Sequence, residues 1–329
     1  MSRALILGGT GLVGRATARR LVAAGWDVDV TGRDPAHLPA GAGRFVAADR
    51  HDGAALASAL GDGADLLVDC IAYTGADAKL LLPLLPHVTS TVLISSKAVY
   101  ADAHGNHSNS DVAPDFGGPI HETQPTLAPS DIDYRSREGY GPNKVAAERV
   151  LLDSGAPVTV LRPSKIHGEG ASPAREWVFV KRVLDRRPAV FLARRGIGTD
   201  HTTAAANIAA LVEVAAAKPG ARILNSADPD APNGREIAHV VAQHLGHTWE
   251  EVLIEDDSLG DHPWNREHPV VLDLTAAGEL GYVPVGDYAA TVAAEIDWLV
   301  NERPPIDDEF FGQYVDYAAE DRYLSARCR

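Results

Sequence analysis

Tyr140 and Lys144 stand four residues apart, with Pro142 between them at a position suited to a first helical turn. Both side chains can therefore rise from one face of a helix. An ammonium beside a phenol favours phenolate, lowering the tyrosine pKa toward neutrality, so Tyr140 could exchange a proton with an alcohol or ketone oxygen. Ser96 closes the run Leu93-Ile94-Ser95-Ser96. At the carboxyl end of a central strand its hydroxyl would bond that same oxygen, in the crevice where such sheets bind ligands. Of the two tyrosines near this helix start, Tyr134 and Tyr140, only Tyr140 has a lysine four residues on.

A second constellation lies near the amino end, in Gly8-Gly9-Thr10-Gly11-Leu12-Val13-Gly14. It follows an apolar run and opens a helical pattern. Glycines there allow a tight turn, close approach of the backbone to a pyrophosphate and close helix–strand packing, while the helix N-terminus offers N–H groups to the phosphates. The next strand ends Val28-Asp29-Val30-Thr31-Gly32-Arg33. Glycine occupies the place where an acid would bond the ribose hydroxyls, and the Arg33 guanidinium can fork onto the 2′-phosphate of NADP. NADP(H) is thus favoured over NAD(H), against the plainer reading of Arg33 as a solvated turn residue. Asp49 is a candidate for the adenine amino group or, equally, a helix cap.

These residues need a scaffold, and the chain alternates short apolar runs with helical spacing to supply one. Strands are expected at 4–7, 27–31, 44–47, 64–70 and 91–94, and helices at 11–24, 52–60 and 76–85. The alternation predicts an α/β fold with a doubly wound parallel sheet. The stretch 101–137, rich in His, Asp, Pro, Gly and Ser, breaks the rhythm and is expected to lie over something as a functional loop. Helix 142–153 and strand 158–161 resume it. Beyond them helices are expected at 175–185, 203–217, 234–245 and 288–301, with strands at 189–192 and near 222–224. The expected domains are a nucleotide-binding one over 1–165, a smaller, partly interleaved substrate lobe over 166–303, and an acidic, aromatic tail over 304–329 docked on the body.

The chain has 329 residues, with 30 Lys plus Arg against 45 Asp plus Glu, a formal charge of −15. That charge makes nucleic acid and anionic membrane poor partners and leaves a small anionic ligand allowed. Two cysteines, Cys70 and Cys328, form no disulfide framework, which suggests a reducing compartment. No targeting segment or apolar run long enough for a membrane span stands out, so a cytoplasmic location is expected. His104, His107, His121 and His201 lack a ligand set of matching spacing, and no metal is expected. Trp177, Trp249 and Trp298 read as core, and Glu148 as a helix-surface partner of Lys144.

The sequence resembles the extended short-chain dehydrogenase/reductase superfamily, the group of NAD(P)-dependent epimerases, dehydratases and ketoreductases. The resemblance rests on Gly8, Gly11 and Gly14; Ser95-Ser96 with Val99-Tyr100; Tyr140-Gly141-Pro142-Asn143-Lys144 with Glu148; and Leu161-Arg162-Pro163 with Gly168. Asn225-Ser226-Ala227-Asp228 and Glu236-Ile237-Ala238 are similar to its C-terminal pattern. It implies a doubly wound sheet with a smaller C-terminal lobe, Tyr140 as acid/base, Lys144 lowering its pKa and holding the nicotinamide ribose, and Ser96 positioning the substrate oxygen. Pro163 joins the cofactor-contacting set, and a four-helix homodimer interface is implied from helices 76–85 and 142–153. Lys97 and Ala98 stand where family dehydratases carry an acidic pair, which argues against dehydration. Lys165 replaces an asparagine that often touches a sugar nucleotide's phosphates. Arg194 and Arg195 fall where the lobe binds the nucleotide; they are candidates for its diphosphate or plain surface residues. The expected activity is hydride transfer between nicotinamide and a secondary alcohol or ketone, that of a ketoreductase or epimerase acting on a nucleotide sugar or similar polar metabolite. A non-catalytic NAD(P)-binding sensor is the alternative.

Overall fold

The computed structural model describes residues 2–327 apart from 33, 36, 37, 39 and 304–307. Arg33, the phosphate-clamp candidate, lies outside the described residues. Eleven strands are described, β1 (Arg3–Leu7), β2 (Asp27–Gly32), β3 (Phe45–Ala47), β4 (Ala64–Asp69), β5 (Val88–Ile94), β6 (Val158–Pro163), β7 (Lys165–His167), β8 (Ala189–Leu192), β9 (Thr202–Ala204), β10 (Arg222–Ser226) and β11 (Glu250–Leu253). The helices are α1 (Leu12–Ala23), α2 (Gly53–Leu60), α3 (Gly75–Lys79), α4 (Tyr140–Leu152), α5 (Trp177–Leu184), α6 (Ala205–Ala217), α7 (Gly234–His244), α8 (Thr275–Glu279), α9 (Tyr288–Asn301), α10 (Asp308–Gly312) and α11 (Tyr317–Arg327).

Seven strands form one sheet in the order β10-β6-β5-β4-β1-β2-β3, every neighbouring pair parallel. Because side chains alternate across a strand, β1 sends Ala4 and Ile6 to one face and Leu5 and Leu7 to the other. The first pair packs with Leu21 of α1 and Leu211 of α6, the second with Leu56 of α2 and Leu151 of α4. This is the doubly wound α/β sheet expected from the sequence. A third core joins Phe179 of α5, Val241 of α7 and Ile296 of α9 with Trp264 and Phe311. Trp177, Trp249 and Trp298 pack against it, half-buried, in keeping with their reading as core. Buried Glu320 of α11 pairs with Arg182 of α5 at 2.7 Å.

The expected helix over 76–85 differs most from the structure. Only the five residues of α3 are helical, followed by turns and a 3-10 turn at Leu85–His87. Pro83 and Pro86 explain this, since each lacks an N–H donor and disfavours the helical conformation in the residue before it. Asp52, not Asp49, caps α2, accepting from the N–H groups of Ala54 and Ala55.

Candidate active site

The turn between β1 and α1 is built from glycines for steric reasons. Gly8 has a φ of +80°, and a Cβ there would come 2.6 Å from Ile71 Cγ2. One at Gly14 would come 2.6 Å from Gly9 Cα. No side chain caps α1 at Gly11 and no acidic residue stands in its first turn. Its N-terminal N–H groups thus face a cleft of about 820 Å³ lined by Gly8, Gly11, Leu12, Val13 and Gly14. This cradle fits the pyrophosphate of a dinucleotide. Gly9 and Thr10 belong to the same turn: Gly9 N–H donates to Thr31 O at 2.9 Å. Asp49 is exposed and accepts the N–H of His51 at 2.9 Å; it is not among the residues lining the cleft.

At the other end the cleft is lined by Ser96, Tyr140, Lys144, Pro163 and Lys165. Ser96 follows β5, and Tyr140 and Lys144 come from the first turns of α4. The side chains of Ser96 and Tyr140 both line this end of the cleft. Burial raises the Tyr140 pKa, while the neighbouring Ser96 hydroxyl and the positive charge of Arg175 act to lower it. The sequence points to Lys144 for the latter task. In the structure Lys144 Nζ instead donates to the carbonyls of Ala72 and Ile94, at 2.8 and 3.1 Å, and lies 4.7 Å from the centre of the Tyr73 ring. Burial pulls the Lys144 pKa down to about 8, against the raising influence of Asp69 and Glu148.

Glu148 is not the surface partner its spacing suggests. It is 2% exposed. Arg162 of β6 grips it through Nε at 3.1 Å and Nη2 at 2.5 Å, and Ser95 Oγ donates to the same carboxylate. The pair ties α4 to β5 and β6, fixing the strand end that carries Ser96 and the helix that carries Tyr140. From the long segment over 101–137, Ser108 and Asn109 reach the cleft wall. Buried Asp102 organises that segment by accepting the N–H groups of His104, Asn106 and Asp115.

The positive charge of the cleft differs from expectation in its membership. Lys165 lines it, whereas Arg194 and Arg195 do not. Both arginines sit at positive φ, 46° and 59°, in a turn after β8. They pair instead with Asp257 and Glu255. Lys97, Arg175 and Arg266 line the cleft with Lys165, and Asp200 stands among them. Sequence spacing gave no signal for Arg175 or Arg266, which come from loops remote in the chain. Lys97 was legible only as a departure from the dehydratase pattern.

Parallel sheet, glycine turn and a cleft joining Ser96, Tyr140 and Lys144 define the class: an enzyme of the extended short-chain dehydrogenase/reductase type using a nicotinamide cofactor. The chain belongs to the NAD dependent epimerase/dehydratase family, whose model matches residues 4–197. No curated protein matches the sequence. Among solved structures, the chain is similar to UDP-N-acetylglucosamine 4-epimerase from Bacillus cereus, with 17% identity, a TM-score of 0.70 and coverage of 91% of this chain and 99% of that one. It is similar to the Thermus thermophilus UDP-glucose 4-epimerase complex with NAD, at 19% identity, a TM-score of 0.68 and coverage of 91% and 99%. Similarity to dTDP-glucose 4,6-dehydratase from Bacillus anthracis, in complex with NAD, has 16% identity, a TM-score of 0.68 and coverage of 92% and 98%. Among the described residues no helix is long and apolar enough to cross a membrane.

Proposed function

We propose that the protein moves a hydride between a nicotinamide cofactor, NADP(H) in preference to NAD(H), and a secondary alcohol or ketone of a nucleotide sugar or similar polar metabolite. The observation that carries this reading is the convergence of Ser96, Tyr140, Lys144 and the glycine turn on one cleft. When bound, the nicotinamide supplies or accepts the hydride. Tyr140 gives or takes the carbinol proton at its phenolic oxygen, and Ser96 donates to the same substrate oxygen and orients it. Lys144 holds the nicotinamide ribose and Pro163 lines the cofactor's path. Lys165 offers an anionic group of the substrate a point charge.

One transfer makes a ketoreductase; two transfers with rotation of the bound ketone make an epimerase. Lys97 and Ala98, lacking carboxylates, supply no acid–base pair for dehydration. The preference for NADP(H) is supported at position 32, where a Cβ would come 2.7 Å from Thr10 Cγ2. An acid reaching for the ribose hydroxyls is therefore poorly accommodated there, and Arg33 follows in sequence.

Replacing Tyr140 with Phe tests the reading. With a panel of UDP- and dTDP-sugars and either nicotinamide cofactor, turnover should fall by about 10²-fold or more, the range for loss of a general acid–base. Dinucleotide affinity should stay within about twofold of wild type. Unaltered turnover would remove Tyr140 from the mechanism.

A further inference from the structure

Three cations meet one carboxylate in the wall of the cleft. Lys97 Nζ pairs with Asp200 Oδ1, while Lys165 Nζ and Arg266 Nε both approach Oδ2, at 3.3 and 2.7 Å. Arg175 lines the same cleft, its charge partly countered by Glu176 and Glu295. Asp200 is fully buried and Lys97 is 8% exposed. Burial, together with neighbouring positive charge, presses both ammonium groups toward their neutral forms. Holding like charges together out of water is costly, and clefts that do so are commonly places where a ligand completes the charge balance.

The location of the cluster says which part of a ligand it would meet. Lys97 follows Ser96 directly in the chain, and Lys165 lies two residues beyond Pro163. The charge is therefore close to the hydroxyl that orients the reacting oxygen. Three separate segments, at 97, 165 and 266, converge on a single carboxylate.

We infer that Lys97, Lys165 and Arg266 form a subsite for an oxyanion, a carboxylate or phosphate that the substrate carries near its reacting carbon, with Asp200 as the internal carboxylate that holds the cations in place. Placing the reacting carbon beside Ser96 rests on the proposed function. The substrate class is accordingly an acidic or phosphorylated sugar rather than one with a neutral hydroxymethyl arm. A charge-assisted bond to each ammonium rewards the anion and gives the neutral arm no equivalent partner.

UDP-glucuronate and UDP-glucose differ by a carboxylate in place of a hydroxymethyl group, and calorimetry on the NADP⁺-saturated protein compares them directly. Wild type should bind the glucuronate at least about tenfold more tightly. Lys97→Met should reduce that ratio to about threefold or less, and Lys97→Arg, which keeps the charge, should retain it. Equal affinities in wild type overturn the subsite. If neither nucleotide sugar binds, the nucleotide-sugar reading fails and malonate and inorganic phosphate decide the subsite. Either anion should then raise the melting temperature of wild type and not of Lys97→Met; no shift in wild type overturns the inference.

Discussion

Ser96, Tyr140 and Lys144 were legible because their relation is local: a strand end, and four residues on one helix. What Lys144 touches was not legible, since Ala72 and Ile94 belong to other segments. Its low pKa gives a signed pH prediction. Below about 8 the group is an ammonium, able to donate to ribose hydroxyls; above that value the charge is lost. Dinucleotide affinity should therefore decline as pH rises through about 8. Fluorescence titration of the reduced cofactor should show this decline in wild type and a flat, weaker profile in Lys144→Met over the same interval. A wild-type profile flat through this range would detach Lys144 from cofactor binding. Arg33 offers a second residue-scale prediction: Arg33→Ala should weaken NADPH far more than NADH in the same titration, and equal losses would sink the phosphate clamp.

Elements with strong periodicity, such as α1, α9 and β8, stand where their patterns place them. The short α3 departs because prolines outweigh an otherwise helical apolar pattern. Strands β7, β9 and β11 escaped notice, being three or four residues long and stabilised by partners distant in sequence. The Glu148–Arg162 pair is an element-scale device whose two residues are read as unrelated until β6 is placed beside α4. Glu148→Ala leaves a buried guanidinium without its carboxylate and frees Ser95. Chemical denaturation should show a loss of about 3–5 kcal/mol, the range for removing one partner of a buried pair. A loss below about 1 kcal/mol, typical of exposed pairs, would show that the pair does not hold these elements together.

For the molecule as a whole, the formal charge of −15 and the positive cleft describe one distribution. Acidic residues dominate the balance, while Lys97, Lys144, Lys165, Arg175 and Arg266 line a common cavity. Composition disfavours nucleic acid and anionic membrane as partners and leaves a small anionic ligand allowed, and the motifs point to where a cofactor would sit. Arg175 and Arg266 joined the cluster only when the chain was folded, because each comes from an irregular segment outside the motifs that mark Lys97 and Lys165. The central claim is that the glycine turn and the Ser96–Tyr140–Lys144 end serve one bound dinucleotide. A crystal structure of the protein soaked with NADP⁺ tests it most directly. The account predicts the pyrophosphate over Gly11–Gly14 and the nicotinamide ring beside the Tyr140 hydroxyl, with Lys144 turned onto the adjoining ribose. A dinucleotide bound with its nicotinamide directed away from Tyr140 would contradict it.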